Sequence, residues 1–145
     1  METFADKVGY KYEVNNLKKT IITNNSLVYE KFSKEMDIIF KEDYSYLDIL
    51  KYVRDKVHKG HKLLTHPLSG SVKPNETPFK SVAISIEKGP VDFKSLAIIE
   101  ESTDTAKKFI EGRRPPNWTE KVLDDFRLID YHLIKSAVES MDQFY

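Results

Sequence analysis

A chain of 145 residues fits one domain better than two, and at that size roughly two thirds of the unfolded surface is hidden on folding. The residues are 40% hydrophobic and 32% charged, a globular balance rather than a disordered or membrane-spanning one. Lys plus Arg and Asp plus Glu both number 23, so the formal net charge is zero: no large basic stripe for nucleic acid is expected, and self-association is favoured over self-repulsion.

The chain has no cysteine, which removes disulfides, thiolate nucleophiles, thiolate metal sites and thiol redox chemistry. Apolar runs are only a few residues long, too short for a membrane span, and Met1 to Lys7 lacks the apolar core of a signal peptide. The expected location is the cytoplasm. No cofactor and no metal site are expected.

Residues 1–17 are polar with scattered aromatics (Phe4, Tyr10, Tyr12) and read as an N-terminal extension to a single α/β domain over 18–145. Lys19 to Thr23 is a short β-branched run that predicts a buried strand, ended by Asn24-Asn25. Ser26 to Ser33 reads as a helix capped by Asn24, Asn25 or Ser26, and Met36 to Phe40 as a second strand. Ser45 and Asp48 form a capping-box start to a helix that Gly60 ends; Tyr46, Leu47, Ile49, Leu50, Val53 and Val57 supply its apolar stripe.

Lys62 to Thr65 predicts a third strand. Phe79 to Ile86 predicts a fourth. Asp92 caps a helix reaching Ile110, with Leu96–Ile99 as a short strand the alternative. After the break at Arg113-Arg114-Pro115-Pro116-Asn117, Trp118 to Met141 predicts a long final helix with a stripe through Val122, Phe126, Ile129, Leu133, Ala137 and Met141. A stripe that wide covers a sheet and leaves room for a second copy of the chain.

The alternation predicts a three-layer α-β-α fold with a short, mostly parallel sheet of about four strands, in an order beginning 2-1-3. The orientation of the fourth strand stays open, with a mixed sheet expected. In that order strands 1 and 3 are neighbours, and Asn24-Asn25 meets Thr65-His66 at a switch-point crevice.

The polar loop His66 to Pro78 is the chemically distinctive segment. Loops of that length inside a compact domain are uncommon and often functional, and Pro67, Pro74 and Pro78 restrict this one. Ser69-Gly70-Ser71 offers hydroxyls and open backbone N–H groups for an anion nest, Lys73 and Lys80 add positive charge, and Asn75, Glu76 and Thr77 add donors and acceptors. The candidate ligand-binding set is therefore Asn24, Asn25, Thr65, His66, Ser69, Gly70, Ser71, Lys73, Asn75, Glu76, Thr77 and Lys80. The competing reading is a rigid connector whose polar groups satisfy one another. No P-loop or GxGxxG spacing occurs. His58, His61 and His66 have ligand-like spacing, but His61 and His66 would lie at opposite ends of a strand, ~15 Å apart. His66 is the candidate general acid or base. Arg113-Arg114 is a weaker anion-clamp candidate.

Ile21 to Asn25, and above all Gly60 to Ser81 with its His-Pro-Leu-Ser-Gly-Ser-Val-Lys-Pro-Asn-Glu-Thr-Pro core, resemble the GrdX-like family over roughly residues 18–110. Members are small proteins encoded beside glycine, sarcosine or betaine reductase genes in amino-acid-fermenting anaerobes. The resemblance implies an accessory, regulatory or assembly role and supplies no catalytic residue. It makes a small anionic or amino-acid-like ligand, or a protein of the reductase system, the expected partner. The alternative is a hydrolase or transferase acting on a phosphate or acyl group through His66.

Overall fold

The computed structural model describes residues 19–70 and 72–144. The N-terminal extension and Ser71 lie outside the described residues. Three strands, β1 (Lys19–Thr23), β2 (Asp37–Phe40) and β3 (Ser81–Ser85), form a sheet in the order β2-β1-β3. Among the described residues the helices are α1 (Ser26–Phe32), α2 (Tyr46–His58), α3 (Phe93–Gly112) and α4 (Glu120–Phe144).

The sheet sits between two helical layers. Ile22, Val82 and Ile84 point to one face and pack with Ile49, Leu50 and Val53 of α2 and Ile99 and Ala106 of α3. Ile21 and Ala83 point to the other and pack with Val28 and Phe32 of α1 and Ile134 and Val138 of α4. This period-two split explains why all of β1 is buried: both faces are covered. Each large apolar side chain withdrawn from water contributes roughly 1.5–3 kcal/mol before entropy is counted.

Local signals set the helix ends. Asn25 caps α1 by accepting the Leu27 N–H at 3.0 Å. The Ser45–Asp48 capping box opens α2, with both reciprocal bonds at 3.1 Å. Beyond Lys59, Gly60 takes φ +105°; its N–H reaches the Val57 carbonyl at 3.0 Å and the His61 N–H reaches that of Lys56 at 3.1 Å. These two bonds are the Schellman closure that a glycine past the helix end permits. Asp92 caps α3 through Ser95, and residues 96–99 are helical, which decides against the strand alternative.

The sheet itself corrects the expectation. Among the described residues it has three strands rather than four and is mixed rather than mostly parallel: β1 pairs with β2 parallel and with β3 antiparallel. The 2-1-3 order survives, but the third place belongs to 81–85. Lys62 to Thr65 lies outside β3 and makes a single bridge, Leu63 to Ile84. Side chains end the ladder there: Ser95 Oγ takes the Leu63 N–H at 3.0 Å, Ser85 Oγ the Lys62 N–H at 2.7 Å, and Thr65 Oγ1 the Ala83 N–H at 2.9 Å. The 62–65 segment runs in the direction of β1 but one strand away from it, so the expected switch-point crevice between Asn24-Asn25 and Thr65-His66 is not formed.

Among the described residues, no helix is long and apolar enough to cross a membrane.

Candidate functional site

Because β3 runs antiparallel to β1, its beginning, rather than the end of 62–65, lies beside Asn24-Asn25. The Asn24 side chain accepts the Lys80 N–H at 2.9 Å and donates to the carbonyls of Tyr44 and Pro78, both at 2.8 Å. It thus fastens the end of the polar loop to the β2–α2 connection. Asn25 donates from Nδ2 to the Arg127 carbonyl at 2.9 Å and to Asp130 Oδ2 at 3.0 Å. Both asparagines spend their side chains on the protein itself.

Asp130, on α4, is the centre of this polar cluster. It is only 7% exposed. Ser81 Oγ donates to its Oδ2 at 2.7 Å and lies 2.7 Å from Thr23 Oγ1, which in turn accepts the Asn25 N–H at 2.9 Å. Burial pushes the Asp130 carboxyl above the usual carboxylate range, against the pull of the Asn25 and Ser81 hydrogen bonds and of the Lys80 charge.

Lys80 is 4% exposed. Its ammonium stands 5.8 Å from the centre of the Tyr46 ring and, among the described residues, makes neither a hydrogen bond nor an ion pair. Burial lowers its pKa from 10.5 to about 8, against the opposing pull of Asp130. The Tyr46 hydroxyl is shifted upward, by burial first and by the Asp130 charge second.

These groups line one cleft, with Ser69, Val72, Thr77 and Phe79 on the loop side and Phe126, Ile129 and Leu133 on α4. It holds about 270 Å³ of atom-free space, part of it open to solvent. Its inner part is about the size of one water molecule. Gly70 lies against the cleft residue Leu133: at φ +100°, a Cβ there would stand 2.6 Å from Leu133 Cδ1. The loop's approach to α4 therefore relies on a residue without a side chain. Trp118 ties the loop to the start of α4 by donating its indole N–H to the Glu76 carbonyl at 2.6 Å, and its ring lies against Phe126.

The other sequence candidates are dispersed. Thr65 serves the sheet edge. His66 is exposed and accepts the Leu68 N–H at 3.1 Å, so it stabilises its own turn. The exposed Lys73 contributes its carbonyl to a turn that takes the Glu76 and Thr77 N–H groups at 2.9 and 3.2 Å. Glu76 is exposed, while Asn75 is buried with no partner for Oδ1 among the described residues. His58 lies 3.0 Å from Glu100, and His61 donates from Nδ1 to the Ser85 carbonyl at 2.7 Å, so these two rings face separate partners. Arg113 and Arg114 are exposed, away from the cleft.

Sequence reasoning missed Asp130 and Tyr46. A signal for Asp130 was present. It stands in the i, i+4 row Phe126–Asp130–Ile134–Val138, where an apolar residue belongs on a helix face turned to the core. Tyr46 was read only as one member of an apolar stripe.

Neither the curated proteins nor the solved structures contain a chain that matches this one. The model of a family described as GrdX-like protein matches residues 20–139. That span runs past the end of the recognised resemblance and includes most of α4, with Asp130. The chain belongs to the GrdX-like family.

Proposed function

We propose that this chain is a non-catalytic accessory or regulatory protein of amino-acid reductase metabolism of the glycine reductase type, and that it binds a small polar or anionic ligand in the cleft between the 77–80 segment and α4. One observation carries the ligand reading: Lys80 and Asp130, oppositely charged and both buried, line the same cleft without pairing. Burying either charge costs several kcal/mol unless it is compensated. A polar group seated in the cleft supplies that compensation and reaches both. The reductase setting rests on the gene neighbourhood characteristic of the family.

The test is thermal unfolding against a panel of acetate, phosphate, small amino acids and nucleotides. A ligand at about 100 times its Kd raises stability by about 2.7 kcal/mol. Lys80→Met abolishes the shift, and a panel that produces no shift sinks the reading.

A second reading, docking to a reductase component, is favoured by Leu128, Ile129 and Leu133, which stand 47%, 41% and 37% exposed on α4. Capture of a reductase component that survives Lys80→Met and fails in Leu128→Ser supports it. Sedimentation of the isolated chain distinguishes a second copy as the occupant.

A further inference from the structure

We infer that the outer edge of β2 is a self-association site, where β2 of a second copy of this chain adds antiparallel across a two-fold axis and joins the two sheets into one.

The two edges of the sheet are finished differently. Along β3, the 62–65 segment takes up backbone groups of Ala83 and Ser85, and the hydroxyls of Ser95 and Ser85 take the N–H groups of Leu63 and Lys62. Nothing comparable covers β2 among the described residues. The Lys41 N–H donates to the Thr23 carbonyl at 2.9 Å, and Phe40 is the register partner of Thr23. By the alternation of a parallel ladder, the backbone groups of Ile39 also face β1, and those of Ile38 and Phe40 face outward. Exposed edges are commonly blunted by proline or lysine, and Asp37-Ile38-Ile39-Phe40 has neither. All of β1 is buried, whereas no residue of β2 is fully so. Tyr29, stacked on Phe40 at 4.9 Å between ring centroids, is 45% exposed beside this edge.

The strand's own sequence selects the occupant. Residues that exchange backbone bonds across an antiparallel pair must both face outward. The symmetric register that uses both outward residues sets Ile38 opposite Phe40 of the second copy, and Phe40 opposite its Ile38, each pair exchanging two N–H···O bonds. That register also places Ile39 beside its own copy and Asp37 opposite Lys41 at both ends. Opposite charges meet twice and like charges not at all within the paired segment, so the strand is complementary to itself. Asp37 is exposed and accepts the Thr20 hydroxyl at 2.7 Å. The Lys41 ammonium lies over the rings of Tyr44 and Tyr52, at 5.8 and 5.7 Å from their centres, on the same chain. A formal net charge of zero adds no general repulsion between copies. This surface is distinct from the exposed residues of α4.

The experiment is sedimentation of the full chain across a concentration series, and the expected result is a reversible dimer. Asp37→Lys and Lys41→Asp each set like charges face to face at both ends of the register, and each is expected to weaken the dimer at least about tenfold. Mixed in equal amounts, the two variants restore it as a heterodimer, because every opposed pair then has opposite signs. Ile38→Pro removes an outward N–H, leaves the β1 ladder its bonds, and is also expected to dissociate the dimer. Thermal unfolding establishes which variants are folded, and any one of the three suffices. Leu128→Ser leaves the dimer intact. A wild-type chain that stays monomeric at about 1 mM overturns the inference. So does a dimer that withstands the folded β2 variants or that Leu128→Ser dissociates.

Discussion

Asn25 and Asp130 lie 105 positions apart in the chain and are joined by a buried hydrogen bond of 3.0 Å. The same asparagine caps α1 through its Oδ1. One side chain therefore starts a helix on one side of the sheet edge and orients the carboxylate that α4 brings to the cleft. Asn25→Ala removes a cap worth about 1 kcal/mol and a hydrogen bond to a buried carboxylate worth about 1.5–3 kcal/mol. Denaturant unfolding is expected to show a loss of about 2–4 kcal/mol. A loss below about 1 kcal/mol contradicts the dual role.

Lys80 imposes a pH dependence whose sign is fixed. Its pKa is lowered from 10.5 to about 8 in the folded chain, so between those values the unfolded state holds more protons and stability rises with pH. The cost of burying the ammonium is fully present below about pH 8. Asp130 and the Tyr46 phenol face the same group, and the phenol's upward shift keeps it neutral through the window. Ligand-free wild type is expected to gain on the order of 1–2 kcal/mol over Lys80→Met between about pH 7.5 and 9.5. Repeating the comparison in an Asp130→Asn background removes the partner's titration. Parallel pH profiles for wild type and variant exclude a buried, titrating ammonium.

Gly60 is expected to be intolerant of a side chain. At φ +105° it closes α2, its carbonyl accepts the Gly89 N–H at 3.0 Å, and a Cβ would overlap the Gly89 carbonyl oxygen. Left-handed strain adds to a clash with backbone that cannot rotate away. Gly60→Ala is expected to cost about 2–4 kcal/mol, measured by thermal or denaturant unfolding. The ligand response of whatever fraction remains folded is unaffected, because Gly60 is not part of the cleft.

His66 and Lys73 are expected to be nearly silent, although both belong to the loop that dominates the sequence. His66→Ala removes one exposed acceptor for the Leu68 N–H, a loss of at most about 1 kcal/mol. Lys73→Ala removes an exposed side chain, for a change of about 0.5 kcal/mol or less. Both variants keep the thermal response to ligand that Lys80→Met loses. A His66→Ala chain that folds normally but no longer responds would move the site to the exposed turn.

The sequence by itself determined the elements whose causes are local. The capping box at Ser45–Asp48, the glycine closure after Lys59, the Asp92 cap and the long stripe of α4 all lie where residues within one or two turns dictate them. The 2-1-3 order and the layers on both faces were also legible, because β1 is apolar in both directions of its pleat. Tertiary structure alone decided which segment takes third place beside β1. Lys62–Thr65 and Ser81–Ser85 are both short β-prone runs, and the choice rests on Ser85, Ser95 and Thr65 diverting the backbone groups of the first to the outer edge. That choice moved the candidate site from His66 to Lys80. It also brought in Asp130 from α4, since a carboxylate at a core position has no sequence neighbour to announce its partner. Two opposite charges about fifty residues apart in the chain are seen to share one cleft only when the antiparallel pairing of β3 with β1 sets its start beneath the final helix.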